Sequence, residues 1–293
     1  MRRPTSVALG IVADLVFGEP PVRPHPVAAF GSVMSRFEAR AWRDDRAAGV
    51  VHALAGLGLG TAFGLMARST AMATYTAVAG NALGRAALDV HDALVGGDVD
   101  RARELVPALV GRDPSSLDAA ALARAAVESV AENTVDAVVA PALWAAALGA
   151  PGALGYRAVN TMDAMVGHRS PRYERYGWAS ARLDDVANLV PARVTALLVA
   201  AVRPGAAGGV WRAVREDAPA HPSPNSGVAE AAFAAALGVS VGGVSVYGGR
   251  VEHRPALGGG RPVEVDDIPR AVRLSRDVSF ALSGALLVSG CRR

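Results

Sequence analysis

Residues 126–150 read AVESVAENTVDAVVAPALWAAALGA. Glu128, Glu132 and Asp136 follow one another at intervals of four, so a helix through them carries three carboxylates on one broad face. After Asp136 the chain is uncharged and apolar until Arg157. At the edge of a membrane span such a row is costly to keep and tends to be functional. In a soluble helix it is a solvated acidic face.

The composition favours the membrane. Of the 293 residues, 51% are hydrophobic and 19% charged, and the mean hydropathy is +0.26. An ordinary soluble domain has about 25% charged residues. Apolar runs lie near 50–67, 69–84, 137–154, 189–203 and 278–290. A spanning helix needs about 20 apolar residues. The first and third runs come close to that; the others must draw in polar neighbours. The expectation is therefore an all-α, multi-pass helical membrane protein, one helical membrane domain over 1–293. Its polar site segments are 126–136, 156–193 and 216–249. An Ala-rich soluble bundle is the alternative. The N-terminal MRRPTSVALGIVADLVFGEPP is basic, then apolar. Asp14 interrupts it and no clear cleavage site follows, so it reads as a retained membrane-associated segment.

Gly56, Gly60 and Gly64 recur at four-residue spacing, which lets membrane helices approach closely; frequent glycine alone gives the same row. Residues 111–118, GRDPSSLD, read as a loop and helix start capped by Ser115 or Ser116. Residues 204–227 and 242–262 are rich in Gly, Pro, Ser and Asn and read as ordered loops or re-entrant connections rather than helices. Strand signal is confined to 243–249.

Several chemistries are excluded. The chain contains no lysine, so it has no P-loop of the G-x-x-x-x-G-K-[ST] kind. Cys291 is the single cysteine, which rules out an intrachain disulfide and a Cys-rich zinc site. Its net charge is +3, with arginines scattered rather than gathered among aromatics, so nucleic acid is not an expected partner. The histidines form no His-x-x-x-His pair, and no G-x-S-x-G elbow is present.

Four polar clusters remain. Glu128, Glu132, Asn133 and Asp136 repel one another unless a cation or arginines neutralise them; Mg²⁺ beside phosphate suits oxygen ligands. In YRAVNTMDAMVGHRSPRY (156–173), Asn160 and Asp163 are helical neighbours and arginines follow at 169, 172 and 175. Arginine forks suit phosphate or carboxylate, and loop arginines also fix topology. In ARLDDVANLVPAR (181–193), Asp184, Asp185 and Asn188 share a face bracketed by Arg182 and Arg193. This is a second candidate cation site, or a local ion-paired face. In EDAPAHPSPNSGVAEAAFAAALG (216–238), Ser223 and Asn225 stand in a rigid turn at a helix start, where free N–H groups bind anions. A well-capped helix start has the same sequence.

Taken together, AVESVAENTVDAVVAP, the long motif YRAVNTMDAMVGHRSPRYERYGWASARLDDVANLVPARVTALL (156–198), HPSPNSGVAEAAFAAALGVSVGG (221–243) and DLVFGEPPVRPHPV (14–27) resemble the cobalamin-biosynthesis CbiB/CobD-type family, the adenosylcobinamide-phosphate synthases. The resemblance implies a multi-pass enzyme of the cell membrane, and the arginines at 169–175 favour a cytoplasm-facing site. Such an enzyme joins adenosylcobyric acid to (R)-1-aminopropan-2-ol, or its O-phosphate, using ATP and Mg²⁺. It is compatible with a homo-oligomer or an association with other enzymes of the pathway. On this reading Glu128, Glu132, Asp163 and Asp184 are the catalytic candidates. Asn160, Arg169, Arg182, Arg193, Ser223 and Asn225 are candidates for binding substrate or phosphate. Glu132, Asp136, Asp184, Asp185 and Asn188 are candidates for the metal. Two departures stand out. Ala164 replaces an expected serine, and arginines at 157 and 169 replace lysines. The reading from another class is a membrane transporter or scaffold whose carboxylates line a cation path.

Overall fold

Aspartate or serine side chains cap several of the helix starts, and glycine follows several of the helix ends. The computed structural model describes every residue except Met1, Arg112, Arg169, Gly248, Gly249, Arg292 and Arg293, and over residues 244–253 it describes backbone alone. The helices are α1 (Arg3–Phe17), α2 (Pro26–Ala41), α3 (Arg46–Met66), α4 (Thr70–Ala77), α5 (Gly80–Val95), α6 (Val99–Leu105), α7 (Ala119–Thr134), α8 (Ala140–Leu148), α9 (Ala150–Met162), α10 (Trp178–Val202), α11 (Ala207–Glu216), α12 (Ser226–Leu237) and α13 (Asp267–Cys291). Asp45 caps α3 by accepting the Ala48 N–H at 2.7 Å. Asp118, not Ser115 or Ser116, caps α7, accepting from Ala121 at 2.8 Å. Asp118 is adjacent to the first turn, whereas Ser115 is held in the preceding loop by a bond from its N–H to Asp113.

The chain forms two compact units: Met1–Ala79, Asp136–Pro191 and Ser283–Arg293 make the first, Gly80–Val135 and Ala192–Leu282 the second.

In the first unit, α3 lies antiparallel along α9, and the glycine row is the reason. A Cβ added at Gly60 would stand 2.5 Å from the Ala158 Cβ and 2.7 Å from the Leu154 carbonyl oxygen, and one at Gly64 would run into the Pro151 backbone. The row is therefore a packing surface and not a by-product of composition. Gly64→Val has rigid backbone against it and no side chain that can yield, so it is expected to destabilise by about 1–3 kcal/mol, read as a lower melting temperature in detergent. Within α10, Pro191 cannot donate to the carbonyl of Ala187. That carbonyl instead accepts the Trp144 indole N–H at 3.1 Å, so a side chain from α8 replaces the helix's own missing bond.

The second unit carries the strand signal of 243–249 and extends it into a segment otherwise expected to be loop. Residues 239–262 form a three-stranded sheet in the order β2-β1-β3. Strand β1 (Val239–Tyr247) pairs antiparallel with β2 (Arg250–Leu257) and parallel with β3 (Arg261–Pro262). The chain is mostly helical, in keeping with the all-α expectation, with one small sheet besides. The 204–227 segment is likewise not all loop, since it contains α11.

The expected spans are also redrawn. Among the described residues, two helices are long and apolar enough to cross a membrane, α3 and α10. The 137–154 run is cut at Gly149, whose φ of 74° ends α8 and is one that L side chains avoid. The 69–84 run is cut between α4 and α5, where the Ala79 N–H bonds the Ala137 carbonyl at 2.9 Å. The 189–203 run is the C-terminal part of α10. The 278–290 run is the end of α13, whose earlier turns are polar.

Candidate functional site

The acidic row is divided where the helix changes pitch. After Thr134 the α-helical bonding gives way to a π turn over Val135–Val139, a distortion frequent at functional sites. Glu128 and Glu132 on α7 bond groups of the second unit. Asp136, past the change, bonds a tyrosine of the first.

In the first unit, α9 and α10 bring together a continuous polar network. The Tyr156 hydroxyl donates to Asn188 Oδ1 at 2.9 Å and lies 3.4 Å from Asp136 Oδ1. With its oxygen so engaged, Asn188 turns its amide nitrogen to Asp184 Oδ2 at 2.9 Å. Asn160 donates to the other oxygen of Asp184 at 3.4 Å and accepts from Arg157 at 3.3 Å. Tyr156 and Asn188 are buried, 4% and 2% exposed. Asp136, Asn160, Asp184 and Asn188, all expected site residues, therefore sit in one hydrogen-bonded group. Asp185 is on the next face, 3.3 Å from the exposed Arg182. Asp163 opens a second π turn, Asp163–Gly167, with its carboxylate pressed against the Gly167 Cα, where any Cβ would collide with it. Arg169 lies outside the described residues. In the turn over 171–177, Arg172 is committed to Glu38 at 3.0 Å and stacks 4.6 Å from the Trp42 ring. A pocket of about 340 Å³, walled by Phe30, Val33, Phe63 and Leu154, has Arg157 in its lining.

Tyr156 was missed by the sequence reading. It precedes Asn160 by four residues and so shares its helix face; that spacing was the available signal. Tyr156→Phe leaves the buried Asn188 oxygen without this donor. A loss of about 1–3 kcal/mol in stability is expected, measured by chemical denaturation in detergent; an unchanged midpoint would show that the hydroxyl does not hold Asn188.

In the second unit, Glu128 is buried, 2% exposed. One of its oxygens accepts the Gly242 N–H at 2.9 Å and stands 3.8 Å from Arg124 Nε. That N–H is available because β1 carries an irregularity between Val241 and Gly243, and a bulge takes a residue out of the ladder. Glu132 accepts from the Ser226 hydroxyl at 2.6 Å. Ser223 Oγ accepts the N–H groups of Asn225 and Ser226 at 3.3 and 3.2 Å, and Asn225 Oδ1 accepts from Arg193 at 2.9 Å. Ser223, Asn225, Arg193 and Glu132 thus gather around the start of α12.

Both networks are built of oxygen acceptors, amides and arginines, the side chains that handle a hard cation and phosphate. Among the described residues, no three His, Cys, Asp or Glu side chains are gathered so as to hold a metal ion by themselves. The chain is mostly helical, with buried carboxylate–amide networks and, among the described residues, two helices long and apolar enough to cross a membrane. The comparisons make that specific: residues 7–275 match the family model described as CobD/Cbib protein, and the chain belongs to this family of cobalamin biosynthesis. It is 50% identical to the cobalamin biosynthesis protein CobD of Mycobacterium tuberculosis (strain ATCC 25618 / H37Rv), over 94% of this chain and 92% of that protein. It is 43% identical to the CobD of Geobacter metallireducens, over 86% and 85%, and 41% identical to that of Rhodobacter capsulatus, over 97% and 95%. No solved structure matches.

Proposed function

We propose that this chain is the acid–amine ligase that joins adenosylcobyric acid to (R)-1-aminopropan-2-ol, or its O-phosphate, with ATP as the energy source and Mg²⁺ as the cation. The observation that carries the reading is the Asp136–Tyr156–Asn188–Asp184–Asn160 network, in a chain of the cobalamin-pathway family.

A carboxylate is a poor electrophile at neutral pH. Transfer of the γ-phosphoryl group of ATP to it gives an acyl phosphate and ADP. The amine then attacks the acyl carbon, phosphate leaves and the ammonium proton is released, so acid, amine and ATP become amide, ADP and phosphate. A Mg²⁺ bound beside phosphate would draw one or two carboxylates from the chain. Asp184 and Asp136, with the amide groups of Asn160 and Asn188, fit that requirement; a site filled by protein alone would need more carboxylates. When bound, the cation supplies charge neutralisation at the phosphates. The remaining work falls to the chain: Tyr156 and Asn188 hold the Asp184 carboxylate, and Arg193, Ser223 and Asn225 offer an anion site at the start of α12. The walls beside Arg157 suit the apolar flank of a large acid.

We place the protein in the cell membrane. Leu54, Phe63, Leu65 and Met66 of α3 and Val186, Val190 and Leu197 of α10 are exposed, as lipid-facing side chains are. Arg46 and Trp178 begin these two helices and stack at 5.2 Å, so both start at one level, with an arginine and a tryptophan where interfacial anchors belong. The arginine-bearing turn before Trp178 favours the cytoplasmic side for that level.

The test uses the protein purified in detergent with adenosylcobyric acid, the amine or its phosphate, ATP and Mg²⁺. An amide product with matching ADP release is expected. Absence of amide where a control synthase makes it overturns the reading. Cation transport without any nucleotide dependence supports the transporter alternative instead.

A further inference from the structure

We infer that His221 is a positioning residue that fixes a phosphoryl-binding turn through its Nδ1 atom; the inference rests on the ligase reading above. His221 is 7% exposed and precedes the turn Pro222–Ser223–Pro224–Asn225. Nδ1 lies within hydrogen-bond distance of both backbone groups of Ser223, its N–H at 3.1 Å and its carbonyl oxygen at 3.2 Å, and we assign Nδ1 as the acceptor of the N–H. Nδ1 as acceptor leaves the ring proton on Nε2, which faces Glu230 Oε1 at 3.8 Å, and Arg254 Nη1 is 3.9 Å from the same oxygen. The other tautomer would aim a lone pair at the carboxylate and take the acceptor from Ser223. Burial, with Arg254 adding to it, keeps the imidazole below its ordinary pKa, against the opposing pull of the Ser223 backbone, Glu132 and Glu128.

Everything proposed to grip phosphate here hangs from Ser223. Its hydroxyl accepts from the N–H groups of Asn225 and Ser226. Asn225 then receives Arg193, and Ser226 reaches Glu132. The prolines on either side restrict the backbone of His221 and Ser223, so one side-chain acceptor suffices to set the turn. Below it the ring is wedged against the helix start, where a Cβ at Gly227 would come within 2.5 Å of the His221 Cβ. A cavity of about 430 Å³, lined by Arg193, His221, Pro222 and Pro224, opens beside the turn. His221 has Nδ1 committed to the turn and Nε2 turned to Glu230, so it acts on a ligand through Ser223.

Two amide replacements separate the ring nitrogens. Asparagine places an oxygen near Nδ1; glutamine places its polar group near Nε2. The experiment measures kcat, the KM of ATP, of aminopropanol phosphate and of adenosylcobyric acid, and the melting temperature for H221N, H221Q and H221A. Loss of one hydrogen bond that leaves a part-buried N–H unmet is worth about tenfold. In H221Q and H221A, therefore, the KM of one phosphate-bearing substrate is expected to rise about tenfold or more. H221N should stay within about threefold of wild type, and the KM of the corrin acid should not move. Whether the ATP value or the amine-phosphate value rises identifies the source of the phosphoryl group. Rescue by glutamine rather than asparagine, or no KM change in variants that melt like wild type, overturns the inference and leaves the ligase reading standing. Wild-type protein that makes no amide removes both.

Discussion

Asp184→Asn is expected to lower kcat/KM for amide formation by about a hundredfold or more. Asp184 accepts from two amides at once, Asn188 on one oxygen and Asn160 on the other. Asparagine keeps the shape but replaces one acceptor by an NH₂ group, which must then face an NH₂ donor. The negative charge that would balance a cation disappears with it. The hydrogen-bond conflict costs about 1–3 kcal/mol by itself, so activity is read together with the melting temperature and the Mg²⁺ concentration for half-maximal rate. A role in holding the cation predicts that this concentration rises; a purely structural role predicts a lower melting temperature with the Mg²⁺ requirement unmoved. Full turnover at the wild-type Mg²⁺ requirement would remove Asp184 from the site and leave family membership untouched.

What could be read from the sequence was what local spacing encodes. Asp184 and Asn188 are one helical turn apart, and they bond. Gly56, Gly60 and Gly64 repeat at the same spacing, and they meet α9. What could not be read depends on a change of backbone state or on a distant partner. The regular run from Glu132 to Asp136 hides the π turn that separates their environments. Uncharged composition over 137–154 hides the break at Gly149, because hydropathy counts side chains and takes no account of φ. The strand signal at 243–249 found part of β1, but the strand begins at Val239, because VSVGGVSVY alternates with period two on either side of its glycines. Glycine argues locally for a loop, yet here Gly242 sits at the irregularity whose N–H reaches Glu128. The two glycines of AGGVWRAVRE likewise hid α11, although Val210 and Ala213 have the spacing of one buried helical face. Asp267 drew no attention, because its acceptor role requires Arg261 from the sheet and Arg270 from its own helix to arrive together.

That convergence makes Asp267→Asn the largest stability effect expected in the second unit. The Asp267 side chain is fully buried and accepts from Arg261 Nη1 at 2.7 Å, Arg261 Nη2 at 2.9 Å, the Glu264 N–H at 2.9 Å and Arg270. Arg270 in turn donates to the Leu237 carbonyl at 2.8 Å, so the carboxylate ties the start of α13 to β3 and to the end of α12. Removing one partner of a buried pair costs about 3–5 kcal/mol. Here the Arg261 and Arg270 side chains are 43% and 44% exposed, and solvent screening argues for the lower end, about 3 kcal/mol. Burial raises the Asp267 pKa, but the bonds from Arg261, Glu264 and Arg270 outweigh it and hold the group below its ordinary value of 3.8. A carboxyl depressed on folding gives stability that is complete above the unfolded pKa and fades as pH falls through the folded one. Wild type should therefore lose stability from just below 3.8 downward. Asp267→Asn should be weaker at neutral pH and should lose less over that acid window, because its side chain has no proton to take up. Denaturation midpoints of both proteins, measured from pH 7 to pH 3, test this. Parallel curves across the acid window would show that Asp267 is not the group whose protonation weakens the fold.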